Sequence, residues 1–364
     1  MRISLLDPGL QRQAGHHFDL DFKLARWLAS HGHKVKIYSH REIKEELCVA
    51  FEPFAPVMPL FRSGPYVNPK RYDNYAGELI VYQFQSQTLA EDLEQVSASD
   101  LWLWPTITAA QLKACSIRGV KVPLSACIHT PVVSDEYPNG QIWWRDAFLA
   151  SNRSLTRMNI GAIEAEHRYD YLPLTSTGRF SLFPSYFDGF PDAVSQKEVR
   201  TVGFFGHQRG EKGAHLMGEL VGQLLSSGYK VIFHDSNRSC ALQKRPGLNI
   251  VGFVPDLVTE IVKCDLIILP YSPDRYKRKG SGILMDAIAS GVPSVVPFGT
   301  VLGRWIDKTG AGTQFVELNC NQVMAAVENA KTNYTNIARA AHNASLYWKK
   351  NHGLDRFVSR MLDV

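Results

Sequence analysis

Short runs of strand-forming residues alternate with segments of helical period along almost the whole chain. This alternation restricts the fold more than any other feature, because it is the pattern of helices layered on a parallel sheet. Residues 3–6 read as a first strand. Residues 18–31 follow as a helix, with Phe18, Phe22, Leu24, Ala25 and Leu28 on one face, and Gly32-His33 stops it before a strand at 35–38. Residues 51–69 are proline-rich and without period, which predicts an irregular excursion. Beyond it the pattern predicts a helix at 74–96, strands at 101–104 and 122–128 flanking a helix at 109–116, a helical stretch from 142 to 171, and a strand at 179–184.

The alternation then restarts. Residues 187–198 carry Asp188, Gly189, Pro191, Asp192 and Ser195, a turn-forming composition that marks a linker. Strands are expected at 200–205, 230–234, 248–253, 266–270 and 294–297, with helices at 214–226, 257–264, 281–290 and 322–331. A last helical segment spans 335–361, with a break near Asn351-His352-Gly353. At 364 residues the chain exceeds one α/β core, since domains usually hold roughly 100–200 residues. We therefore expect two Rossmann-like domains, 1–187 and 188–344, and a helical tail, 345–364.

Composition narrows the function classes. A hydrophobic fraction of 45% and a charged fraction of 21% exclude a disordered or collagen-like chain. Six cysteines are scattered without a C-x-x-C pair, so a reducing, cytoplasmic setting is expected. The first apolar run ends at Asp7-Pro8-Gly9, short of a signal h-region, so no secretory signal is expected there and the N-x-[ST] matches at Asn152, Asn237, Asn333 and Asn343 read as chance. No apolar run reaches the roughly 18 residues of a membrane span. The net charge of +5 is too small to point to nucleic acid, and is compatible with peripheral contact at the inner face of an anionic membrane. His16-His17 lacks an i, i+4 ligand pair, so no metal is assigned.

Two segments carry chemistry. Gly206-His207-Gln208-Arg209-Gly210-Glu211-Lys212-Gly213 sits between a strand and a helix. Its glycines admit an anion close to the backbone, and Arg209 and Lys212 add charge beside a helix N-terminus, which suits a diphosphate. Further on, a basic run, Arg275 to Lys279, feeds Gly280-Ser281-Gly282 and opens a helix with Ile283, Leu284 and Asp286. The N–H groups and dipole of that helix point at the same place, and Asp286 can accept hydrogen bonds from ribose hydroxyls.

In this order and spacing, the two segments resemble the donor-binding half of GT-B glycosyltransferases related to family GT4. In that family a loop of the form G-R-L-x-x-E-K-G supplies cations to the donor diphosphate. Gly206, Glu211, Lys212 and Gly213 match it, while His207 stands at the arginine and Arg209 lies in the same loop. Asp286-Ala-Ile-Ala-Ser-Gly-Val-Pro resembles the second half of the later family motif, with Asp286 at the usual glutamate and Arg278 at the first acid. Gly252-Phe-Val-Pro-Asp-Leu, which includes Val254, resembles the segment that contacts the base, and Leu266-Ile-Ile-Leu-Pro-Tyr271 the strand before the donor loop. Gly15-His16-His17-Phe18-Asp19-Leu20 and the helix after it resemble the opening loop of these enzymes, and His129 stands where a histidine often meets the transferred sugar. The resemblance covers nearly the whole chain, most closely at 200–315.

The resemblance implies two Rossmann-like domains facing across a cleft, with a final helix crossing back to the first. It implies a hexosyltransferase-like enzyme of polysaccharide or glycoconjugate synthesis. Such an enzyme takes a UDP- or GDP-linked sugar and passes it to a sugar, glycan or lipid-linked acceptor with retention, without cofactor or metal. His129, Arg209 and Lys212 would be catalytic, and Gly15, His16, His17 and Asp19 would lie on the acceptor side. Three alternatives stay open: an inverting enzyme with His17, Asp19 or His129 as base, an epimerase or hydrolase of nucleotide sugars, and a silent nucleotide-binding protein.

Overall fold

The structure is a computed structural model that describes residues 1–12, 16–65, 74–133, 138–155, 157–189, 198–236, 238–240, 242–252, 254 and 256–364; the side chain of His16 is also outside the description. The chain divides into two compact units, Met1–Tyr186 with Leu354–Val364, and Phe187–Gly353.

Unit 1 begins with β1 (Arg2–Asp7), α1 (His16–Ser30), β2 (Lys34–His40), α2 (Glu45–Phe51) and β3 (Val57–Phe61). It continues with α3 (Tyr75–Asp92), β4 (Leu101–Trp104), α4 (Ala109–Arg118), β5 (Leu124–Ile128), α5 (Gly140–Ser154), β6 (Met158–Ala162), α6 (Ala165–Tyr171) and β7 (Ser181–Leu182). The strands pair in parallel in the order β3-β2-β1-β4-β5-β6-β7. Central strands buried on both faces lose polar alternation; β4, Leu-Trp-Leu-Trp, is buried at every position. Local signals set the helix ends. The α4 helix opens with a Thr108/Gln111 capping box and closes on Gly119 at φ 65°, so both of its ends are satisfied without tertiary help.

Unit 2 runs β8 (Thr201–Phe204), α7 (Met217–Ser226), β9 (Lys230–His234), β10 (Leu248–Val251), α8 (Val258–Ile261), β11 (Leu266–Ile268) and α9 (Pro273–Tyr276). It ends with α10 (Gly282–Ala289), β12 (Ser294–Pro297), α11 (Val301–Thr309), β13 (Gly312–Phe315), α12 (Cys320–Thr332) and α13 (Tyr334–Asn351). Its parallel sheet has the order β10-β9-β8-β11-β12-β13. Successive β11 residues face opposite cores, as the period of two requires. Leu266 and Ile268 pack in the cluster with Val231, Leu220 and Val323, and Ile267 in the one with Leu284, Ile288 and Trp348.

The last helix, α14 (Leu354–Leu362), belongs to unit 1. Its apolar stripe, Leu354, Phe357, Val358 and Met361, is buried, with Phe357 against the rings of Phe183 at 5.9 Å and Tyr186 at 5.4 Å. Asn159 Nδ2 donates to Arg360 O at 2.8 Å, and Trp27 Nε1 to Asp355 Oδ1. The tail expected from 345 is shorter than that: Ala344 and Trp348 belong to the second core, and the change of unit falls at Gly353/Leu354.

The structure adds elements to the expected pattern. The excursion at 51–69 contains β3, whose Pro59 is tolerated on an edge strand. The stretch 142–171, expected as helix, is split by β6, whose polar Asn159 and Gly161 hide a strand. α2, α9, α11 and β13 lie in segments left unassigned. Much of the linker, residues 190–197, is outside the described residues.

Candidate functional site

In both sheets the first strand lies mid-sheet and the order reverses beside it, between β1 and β4 and between β8 and β11. Ligands of open α/β sheets bind beyond the carboxyl ends of strands at such reversals. In unit 2 the chain leaves β8 into Gly206, at φ 91°, then forms a one-turn 3-10 helix, Gly210–Lys212, closed by Gly213 at φ 75°. A Cβ on Gly213 would lie 2.4 Å from Pro270 O, so this loop is locked to the end of β11 through a position only glycine fits. A Cβ on Gly206 would lie 3.2 Å from Lys212 Nζ and 3.4 Å from Ile283 Cγ1, which brings the loop, its lysine and the start of α10 together.

Lys212 Nζ sits 5.0 Å from the centre of the Tyr271 ring, a cation–π contact that aims the ammonium. Arg209 is exposed, 3.8 Å from Glu211. His207 is half-buried; burial first, then Arg209, Lys212 and His234, hold its imidazole below the ordinary histidine range. Gln208 Nε2 donates to Gly206 O at 3.3 Å and His234 O at 3.0 Å, fixing the loop to the end of β9. Among the described residues the Tyr271 hydroxyl and His207 Nδ1 are buried without a hydrogen-bond partner, a state that native interiors rarely tolerate without purpose. At the start of α10 the Ser281 hydroxyl caps Leu284 N at 3.3 Å, so the N–H groups of Gly282 and Ile283 are the ones a helix start leaves without intrahelical acceptors. Gly280 precedes them, and Asp286 lies half-buried on the same helix.

The reversal in unit 1 holds different chemistry. Asp7 ends β1, and both of its oxygens are engaged: Gly9 N–H on Oδ1 at 2.7 Å, and His17 Nδ1 on Oδ2 at 2.7 Å. A Cβ on Gly9 would lie 2.3 Å from the His17 ring, so the turn rests directly on the imidazole. Burial opposes the charge on Asp7, but His17 and the bonds from His17, Asp21 and Gly9 hold its carboxyl below the usual range. His129, just past β5, donates from Nε2 to Pro105 O at 2.9 Å, and burial pushes its imidazole down to about 4. It is therefore neutral at pH 7.

No protein-family model matches the chain, and no curated protein matches it by sequence. Solved structures do. A sucrose-phosphate synthase from Thermosynechococcus elongatus superposes with a TM-score of 0.67 at 13% identity, over 99% of this chain and 96% of the other. A glycosyltransferase from Rickettsia africae gives 0.68 at 12% identity, over 100% and 97%. Anabaena HepE in complex with UDP-glucose gives 0.66 at 15% identity, over 100% and 98%. The chain has the GT-B fold. That fold is two Rossmann-like units joined in one chain, as the seven- and six-stranded sheets are here.

Within the GT-B frame, Gly206, His207, Arg209, Lys212 and Tyr271 gather at the unit 2 reversal, and Gly206 meets Ile283 at the start of α10. Gly252 is exposed and Val254 half-buried after β10; residues 253 and 255 are outside the described ones. In unit 1, Gly15 and the His16 side chain are also outside them. Asp19 does not join the cluster, because Lys23 holds it at 2.9 Å in an i, i+4 pair. Asp7, Asp21, Gln208 and His234 also stand at these sites and are not among the residues that the sequence pattern singles out. Asp7 and Asp21 had a signal: a carboxylate at the end of an apolar strand, and another four residues after His17 on a helix face otherwise apolar. Among the described residues no three His, Cys, Asp or Glu side chains converge as metal ligands would.

Proposed function

We propose that the chain is a glycosyltransferase that holds a nucleotide-sugar donor, UDP- or GDP-linked, at the carboxyl edge of the unit 2 sheet. The observation that carries this reading is the convergence of Lys212, the glycine loop after β8 and the start of α10 at one sheet reversal. Lys212, Arg209 and the N–H groups of Gly282 and Ile283 offer positive charge where the leaving diphosphate gains negative charge, the arrangement that stabilises such a transition state. Asp286 would take the ribose hydroxyls, and Gly252 and Val254 the base. The GT-B fold and the UDP-glucose held by HepE support the donor class. The acceptor is a sugar, a glycan or a lipid-linked sugar. Retention with the departing phosphate as base follows from the GT4 resemblance.

A second reading is inversion, with His17 as the base that deprotonates the acceptor. The buried Asp7–His17 pair favours it, since a carboxylate on Nδ1 fixes the tautomer and orientation that a general base needs. A thermal-shift panel of UDP, GDP, ADP and their sugars tests the donor assignment, because a nucleotide that binds the native state alone raises its melting temperature. Product anomeric configuration, read by NMR, separates retention from inversion. Conversion of donor without acceptor would replace both readings by an epimerase or hydrolase. No shift with any nucleotide would end the proposal.

A further inference from the structure

Among the described residues, Asp21 is a buried carboxyl with both of its oxygens unpartnered. It is fully buried in α1, and neither oxygen has a hydrogen-bond donor among those residues. It lies four residues after His17, so the two side chains share one face of the helix. Both reach Asp7 at the end of β1: His17 through Nδ1 at 2.7 Å, Asp21 carboxyl to carboxyl.

Two carboxylates in contact away from water cannot both carry charge. Asp7 has the claims to be the anion, namely the His17 ring and the Gly9 N–H. Asp21 has neither. An ionised pair would be left with only lone pairs between its oxygens, whereas one proton turns the contact into a hydrogen bond. We propose that Asp21 is kept as a neutral carboxylic acid that donates to Asp7, and is a positioning residue that fixes which nitrogen of His17 does chemistry. Burial first, and then the Asp7 charge and the bond to it, drive the Asp21 carboxyl well above the usual range, in agreement. Other charged groups act from further away. Asp19 and Lys23 pair with each other, Asp355 of α14 meets α1 at Trp27, and His129 faces His17 and Asp7 from the end of β5. The neighbouring β2 brings Lys34, Lys36 and His40.

The sign of the pH effect follows. Unfolded, Asp21 ionises near its ordinary value of about 3.9; folded, it keeps its proton to higher pH. The native state then binds more protons across that window, and wild-type stability falls as pH rises through it. Asparagine has the same shape, donates from its amide and cannot ionise. Asp21→Asn should therefore gain melting temperature over wild type progressively from pH 4 to pH 8. Difference infrared spectra at pH 7 should show a protonated carboxyl band in the wild type that the variant lacks. Both measurements use the protein without substrate, so they stand if the reading of His17 as the base, on which the kinetic arm rests, fails. In that arm Asp21→Asn should keep kcat, and Asp21→Leu, with no donor, should lose it about tenfold or more with KM little changed. Should Asp21→Leu fail to fold, the infrared and thermal data on Asp21→Asn decide. Absence of the protonated band, or a melting temperature of Asp21→Asn below wild type at every pH, overturns the proposal.

Discussion

The two units share a strand order in which the first strand lies mid-sheet, yet they furnish the matching place with opposite chemistry. At the β8/β11 reversal the chain spends glycines and permanent cations, with Arg209 exposed and Lys212 half-buried. At the β1/β4 reversal it places buried titratable groups: Asp7 and His17, bonded to each other, and Asp21 beside them. The difference teaches what a shared architecture leaves undecided. The sheet fixes where a ligand goes, while side chains on two loops decide whether that place recognises an anion or manages a proton.

Four perturbations would break or sharpen this contrast. The largest acts on the units as bodies. Ending the chain after Gly353 removes four buried apolar side chains of α14, each contributing about 1.5–3 kcal/mol. That loss is comparable with the whole stability of a domain. Hydrogen exchange on the truncated chain should show unit 1 opened and unit 2 protected; equal exposure of both units would mean that α14 supports more than unit 1.

Next comes charge. Lys212→Ala should lower kcat/KM by about a hundred- to a thousandfold, roughly 2.7–4 kcal/mol of transition-state stabilisation. The urea midpoint should move little, by no more than the loss of the cation–π contact with Tyr271, about 0.5–2 kcal/mol. A fall in activity under tenfold would remove Lys212 from the chemistry.

Gly213→Ala tests the scaffold instead. A methyl 2.4 Å from Pro270 O at a φ of 75° should cost about 1–3 kcal/mol of stability, seen as a lower urea midpoint with unchanged slope. The last effect is on pH and is confined to acid. His129 in unit 1 and His352 in unit 2 are both pushed down to about 4, mainly by burial. A histidine near 6.5 when unfolded and near 4 when folded withdraws stability as pH falls through that window. His129→Gln should flatten the acid loss in unit 1 and His352→Gln in unit 2, measured by urea titrations at pH 7 and 4.5.

Much of this was legible beforehand for physical reasons that can be named. Central strands such as β4 and β11 are apolar throughout, and Thr108, Gly119 and Ser281 mark helix ends by local hydrogen bonding. The glycine loop announces itself because only glycine takes its backbone angles. Edge and interrupted strands were harder: β3 carries a proline, and β6 mixes Asn159 and Gly161 into a stretch rich in helix formers. The proton-holding cluster was hidden for another reason. His17 and Asp21 belong to a recognisable helix, but their partner Asp7 arrives from β1, and nothing local in Asp7-Pro8-Gly9 says that two side chains of the next helix will close on it. Tertiary contact creates that chemistry, so sequence spacing alone does not disclose it.

The central claim is that unit 2, through its glycine loop and the start of α10, is the half that holds the donor. Amide hydrogen exchange with and without each of UDP-glucose, GDP-mannose and ADP-glucose tests it directly. We expect one of these to slow exchange at residues 206–213 and 280–284 while residues 7–17 stay unchanged. Protection confined to residues 7–17, or none in either segment of unit 2 with any of the three, would contradict the account.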